Sequence, residues 1–226
     1  MLGYEFEFVS TIVIYGKGEW LIMAIHCLNP NTVGTQAEEM FNITNTDGRN
    51  LINSFSTTIE NLKSHWKGSD AVNNLTDLSN VYTAVTDLVK NLQKIIVIVN
   101  NNEIIPMQKH ILLGGGSCTI GNELAVTLNV DSVISVPTEA VESWTDPAII
   151  NDAETFSSFP TTFEKFVNNL NESKNTLLNN WLDGANRSEV VSVFENFNNN
   201  IADYMSQITR VRDNLNQVAE NKKQLL

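Results

Sequence analysis

The chain has 226 residues, enough for one large domain or two small ones, of which 42% are hydrophobic and only 18% charged. Its formal net charge of −12 leaves no basic surface to neutralise phosphates, which argues against a nucleic-acid partner. No stretch reaches the ~18 apolar residues that would span a bilayer, so no integral membrane segment is expected. Cys27 and Cys118 are too few for a disulfide framework. They are read as reduced thiols, with a single bridge open to an exported chain.

Residues 1–22 lack the basic start of a signal peptide and carry Glu5 and Glu7 instead. The run from Phe6 to Ile14 reads as a strand. Lys17-Gly18-Glu19 can be encoded by a purine-rich ribosome-binding sequence just upstream of Met23. Residues 1–22 are therefore expected to be a non-native or disordered extension, with translation starting at Met23.

Helical patterning begins at Asn29-Pro30, an N-cap followed by a Pro suited to the first helical position. Val33, Ala37, Met40 and Phe41 make a first apolar stripe, which Asp47-Gly48 is expected to interrupt. Ile52, Phe55, Ile59, Leu62 and Trp66 then alternate at spacings of three and four, the seam of a packed helix. After Trp66-Lys67-Gly68 the seam resumes at Leu75 and runs through Leu78, Tyr82, Val85, Val89, Leu92 and Ile96 to Val99. Gly68 can take a positive φ at a helix end and reversal. Two such helices joined by a short turn are expected to pack as an antiparallel hairpin over residues 23–105.

Residues 106–133 differ in composition and read as a linker. Gly114-Gly115-Gly116-Ser117 suggests a flexible break. Leu124, Val126, Leu128 and Val130 alternate with polar or small residues, which predicts a strand. Val133 to Val136 is the expected hairpin mate across Asp131-Ser132.

The last segment, 134–226, opens on Val136-Pro137-Thr138-Glu139, and a break is expected near Pro160. Phe163, Val167, Leu170, Leu177 and Trp181 rebuild the first seam, and Val190 to Val218 carry it on past Trp181-Leu182-Asp183-Gly184. Counted back from each Trp, Ile52 matches Val167, Phe55 matches Leu170 and Leu62 matches Leu177. The two Trp lie 115 residues apart, the mark of an internal duplication. The expected fold is mainly α: two tandem helical hairpins forming a four-helix-bundle-like pseudo-dimer around a small β-hairpin and Gly-rich linker.

Trp66-Lys67-Gly68 between two amphipathic helices resembles the WXG family of early-secreted-antigen-like proteins, which travel through type VII secretion systems. The resemblance covers residues 23–103 and 134–226. Members are acidic helical hairpins of about half this length that pair antiparallel into four-helix bundles. The resemblance implies a non-enzymatic protein that leaves a Gram-positive bacterium without a classical signal peptide. It would do so as substrate, co-secreted partner or adaptor. Implied partners are the secretion ATPase or a cargo protein, with self-association open.

Trp66, Gly68, Trp181 and Gly184 are the implied protein-binding residues. In the family the Trp–Gly turn of one partner and the tail of the other form a joint surface. By analogy Trp66 and Gly68 lie near residues 217–226, and Trp181 and Gly184 near residues 97–103. The second turn is one residue longer than the family motif. The family's export signal, a Tyr followed four positions later by an acidic residue, is unmatched: Tyr82 has Thr86 at that place and Tyr204 has Ile208.

Two other readings compete. One is a structural or adhesion module, phage- or surface-associated. The other is a targeting domain or chaperone that docks a toxin. No catalytic residue, metal site or cofactor is expected. His26-Cys27, His65, His110 and Cys118 lack zinc-site spacing, and the glycine run lacks the Gly-Lys-Ser/Thr of a P-loop.

Overall fold

The computed structural model describes residues 10–15, 19–24, 26, 27, 29–137 and 144–226, with side chains from 29–137 and 144–226. The protein is mainly helical. Strands β1 (Ser10–Tyr15) and β2 (Glu19–Ala24) pair antiparallel, with Val13 opposite Leu21. They cross the boundary expected at residue 23. Residues 6–9 of the expected strand, the extension's residues 1–9 and 16–18, the Cys27 side chain and the start expected at Thr138-Glu139 lie outside the described residues.

The remaining elements are β3 (His26–Cys27), α1 (Pro30–Ile43), α2 (Arg49–His65), α3 (Ser69–Val99), α4 (Ile105–Leu113), α5 (Ile149–Phe156), α6 (Phe159–Asn180), β4 (Trp181–Asp183), α7 (Arg187–Asn198) and α8 (Ile201–Lys223). They fall into two compact units. One holds Met1–Asn45, Asn91–Leu128 and Asn169–Phe194; the other holds Thr46–Lys90, Asn129–Asn168 and Glu195–Leu226. Neither unit is one half of the sequence.

In the first unit, Asn29 caps α1 by accepting from the N–H groups of Asn31 and Thr32 at 3.0 and 3.1 Å. Its apolar stripe, Val33, Ala37, Met40 and Phe41, is buried, and α1 packs against α4 and the π-helical turn Asn100–Ile104. Buried Gln108 ties this corner together, donating to the Pro30 carbonyl at 3.2 Å and accepting from the Gly121 N–H at 2.9 Å. Cys118 is a free thiol that donates to the Gln108 carbonyl.

In the second unit, α2 buries Ile52, Phe55, Ile59 and Leu62 of the stripe read from the sequence, and Leu51 beside them. Helix α5 packs on α2 and α8. Phe159 meets Phe55 edge-on at 4.4 Å and stacks on Phe156 at 4.9 Å, which joins the start of α6 to that core. Each fully buried Leu, Ile or Phe contributes about 1.5–3 kcal/mol.

Four local expectations are corrected. Asp47-Gly48 does not break the helix, because a π-helical turn over Thr44–Gly48 carries α1 into α2. The seam after Trp181 is divided, since α7 ends at Asn198 and α8 starts at Ile201 within an Asn-rich run. Gly114-Gly115-Gly116 is a hydrogen-bonded helix end, with Gly116 N–H donating to Ile111 O at 2.9 Å and Gly115 at φ 84°.

The fourth correction concerns the linker, which forms no β-hairpin: residues 117–137 are a strap with neither helix nor strand. In the first unit, Gln93 Oε1 accepts from the N–H groups of Thr127 and Leu128, both at 2.8 Å. Asn101 both donates to and accepts from the backbone of Leu124, and Asn100 donates to the Asn122 carbonyl. Side chains of the helix thus satisfy backbone that a strand would otherwise satisfy. The period-two pattern of Leu124 to Val130 thus falls on chain that forms no strand. The chain bends at Ser132, but no strand pairs across it. The expected break near Pro160 is present as the gap between α5 and α6, with Pro160 in the first turn of α6.

Candidate functional site

Both Trp-containing turns are built where a helix stops, and both Trp are buried: Trp66 is 4% exposed and Trp181 is 0% exposed. Each therefore anchors a core, and neither is an exposed tip. The positions matched between the two seams, Ile52 and Val167, Phe55 and Leu170, Leu62 and Leu177, Leu75 and Val190, are all buried as well.

In the second unit, Trp66 ends α2 with an extended backbone at φ −123°, ψ 118°, and its N–H still bonds the Leu62 carbonyl at 2.9 Å. Gly68 then reverses the chain at φ 113°, the positive value expected of it. An extended segment crosses the turn. Trp66 bridges Thr145, Lys67 N–H donates to the Trp144 carbonyl at 3.0 Å, and Asp146 N–H donates to the His65 carbonyl at 2.8 Å. His65 Nδ1 lies 2.6 Å from Asp152 Oδ2, which fastens the last turn of α2 to α5. Lys67 Nζ lies 5.8 Å from the ring centre of Trp144.

The end of α8 completes this corner. Trp66, Lys67 and Gly68 share a groove of about 360 Å³ with Trp144, Val218, Asn221, Lys222 and Leu225. A larger groove of about 740 Å³ runs on from Trp66 between Asp70, Asn74 and Asp77 of α3 and Arg210, Asn214 and Gln217 of α8. Arg210 pairs with Asp77, and Asn214 donates to Asn74 at 2.9 Å. The floor is a buried indole, the walls are amides and one ion pair, and Trp144 and Leu225 are exposed by 40% and 81% at the rim. Such a mixture of exposed aromatic and apolar groups with polar walls suits protein recognition.

In the first unit, Trp181 opens β4, which pairs with β3. Gly184 does not take a positive φ, because the positive-φ glycines among the described residues are Gly68 and Gly115. It is needed instead for close approach: a Cβ at Gly184 would meet Glu103 Oε2 at 2.6 Å and collide with Trp181 Nε1. Glu103, 2% exposed, accepts from Asn186 N–H at 3.0 Å and from the Asn186 side chain. Burial pushes its carboxyl above the ordinary range, the Asn186 donors oppose that rise, and the negative charge of Asp183 adds to it. Glu103 Oε2 and Trp181 Nε1 are both buried without a partner among the described residues. Arg187 closes the turn by donating to the Trp181 carbonyl at 2.7 Å.

The residues singled out from sequence thus form two clusters, one for each Trp. Sequence reasoning missed Trp144, Asn186 and Arg187, whereas Glu103 ends the 97–103 stretch expected near Trp181 and Gly184 and does lie against Gly184. The signal for Trp144 is a large aromatic outside any helical seam. Among the described residues, no group of three or more His, Cys, Asp or Glu could hold a metal, and no helix is long and apolar enough to cross a membrane.

Compared with known proteins, the chain matches no family model, no curated protein and no solved structure.

Proposed function

We propose that the chain is a non-enzymatic recognition protein of a type VII-like secretion system, acting as substrate, co-secreted partner or adaptor. In this reading α2–α3 and α6–α8 are two WXG-like hairpins that close within one chain into a four-helix-bundle-like pseudo-dimer. Fusion makes the second association intramolecular, at an effective concentration of order mM. The secretion ATPase or a cargo protein reads the Trp66–Gly68 turn together with the end of α8.

One observation carries this reading. Trp66 and Gly68 line the same groove as Val218, Asn221, Lys222 and Leu225. The family resemblance implies that association of a Trp–Gly turn with a chain tail. The groove also offers an exposed apolar handle in Leu225, whose replacement removes little packing.

The test is recovery of the tagged chain from the culture medium of a Gram-positive host with its secretion ATPase intact or deleted. Release only with the ATPase, lost in Leu225→Asp at unchanged melting temperature, is the expected result. Retention in both strains would overturn the secretion reading and favour a structural role. Co-purification with a toxin, blocked by Leu225→Asp, would favour the targeting role.

A further inference from the structure

In the first unit, the turn after Trp181 rests on one buried carboxyl. Glu103, in the π-helical turn Asn100–Ile104, is 2% exposed and holds both the N–H and the side-chain amide of Asn186 on Oε1. Its other oxygen, Oε2, and the indole Nε1 of Trp181 both lie against the place that a Gly184 side chain would take. Both atoms are buried without a partner among the described residues. The other bonds described for this turn are local. Gly184 N–H donates to Asp183 Oδ1 at 2.9 Å, Arg187 N–H donates to Gly184 O at 3.2 Å, and the Arg187 guanidinium donates to the carbonyls of Trp181 and Leu178. Among the described residues, Glu103 alone ties residues 184–186 by hydrogen bonds to a distant part of the chain.

The two oxygens differ in what they can carry. Oε1 already accepts two donors, so the hydrogen of the neutral acid sits on Oε2. A buried hydroxyl without a partner costs far less than a buried carboxylate oxygen without one. Burial first, and the negative charge of Asp183 with it, raises the carboxyl above its ordinary range against the pull of the Asn186 donors.

We propose that Glu103 is a proton-operated latch on the Trp181 turn. Protonated, it holds residues 184–186 closed over the indole; when Oε2 gives its proton to water, the turn lets go and solvent reaches Trp181. Other charged groups stand on the elements around it. Arg187 is held by carbonyls, Glu38 of α1 accepts from the Asn122 N–H at 3.1 Å, and Lys109 and His110 of α4 are exposed. His26 stands opposite Asp183 in the β3–β4 pair. The latch uses no residue of the Trp66 groove and stands or falls without the secretion reading.

The test is hydrogen exchange at the indole N–H groups of the full chain by NMR, read as protection relative to free indole, from below pH 4.5 upward. Trp181→Phe identifies the Trp181 signal. The closed turn binds its proton more tightly than the open one, so opening rises with pH between 4.5 and the raised value. Protection of Trp181 is expected to fall by up to about tenfold per pH unit through that window and then level off, with helical circular dichroism unchanged. Glu103→Gln has no proton to lose and should hold protection constant. Asp183→Asn keeps an acceptor for Gly184 N–H but removes the charge, so the fall should stop at a lower pH. That shift decides the matter if Glu103→Gln unfolds. Protection independent of pH in wild type, or a fall that stops at the same pH in Asp183→Asn, would overturn the proposal. A fall equally steep in Glu103→Gln would also overturn it and place the proton elsewhere, as on His26. So would loss of helical circular dichroism in step with protection, because the whole chain would then be unfolding.

Discussion

The indole Nε1 of Trp181 lies against Gly184, leaving no room for even a methyl group on that glycine. Its counterpart after the other Trp, Gly68, is held at φ 113°. Two glycines that look equivalent in sequence meet different physical demands, one steric and one conformational.

Gly184→Ala is expected to cost about 1–3 kcal/mol through overpacking. Gly68→Ala is expected to cost ~1 kcal/mol or more through backbone strain. A double-mutant cycle in urea separates them. Trp181→Phe deletes Nε1 and should recover part of the Gly184→Ala loss. Trp66→Phe should leave the Gly68→Ala loss as it was. Equal recovery in both cycles would show that the two turns are alike after all.

Burial makes both Trp large contributors to stability. Trp66→Ala and Trp181→Ala are each expected to cost roughly 3–5 kcal/mol. A loss below about 1 kcal/mol for either, by denaturant unfolding, would show that its pocket is exposed in solution.

Glu103 gives the first unit an acid-side dependence of unusual sign. Its folded carboxyl titrates above the ordinary value of 4.5, raised chiefly by burial. Between 4.5 and the raised value the folded chain binds more protons than the unfolded one. Stability from this group is therefore highest at or below pH 4.5 and falls as pH rises through that window. In Glu103→Gln this component should vanish, flattening the melting temperature against pH. Parallel curves for wild type and Glu103→Gln would show that the dependence arises elsewhere.

Gln93→Leu keeps most of the side-chain volume but removes the acceptor of Thr127 and Leu128 N–H. The expected cost is about 1–3 kcal/mol. Faster amide exchange at Thr127 and Leu128, with exchange in α1 unchanged, would locate the effect in the strap. Unchanged exchange at both amides would show that Gln93 does not hold it.

The helices were legible because apolar residues recur at three and four, and burying that stripe is what most stabilises them. Asn29, Pro30 and Pro160 marked starts and breaks through backbone chemistry that any reader of the chain can apply. The strap was half legible. Leu124 to Val136 set this segment apart from the helices but suggested a hairpin, and nothing in that period says what satisfies its polar groups. The partners, Gln93, Asn100 and Asn101, are amides near the end of α3. An amide at a helix position leaves no periodic signal for the segment it binds. The Glu103–Asn186 contact was hidden for a similar reason, because it joins residues 83 apart through one carboxylate.

The strap also separates where its placement is encoded from where it runs. Gln93 and Asn101 grip the backbone of Thr127, Leu128 and Leu124, and a backbone is the same whatever side chain it carries. Related chains should therefore vary freely at Ala125, Val126 and Asn129 while keeping amides at positions 93 and 101. A reader aligning them would see a drifting loop beside two fixed helix residues, and would find the instructions for the loop written in the helix.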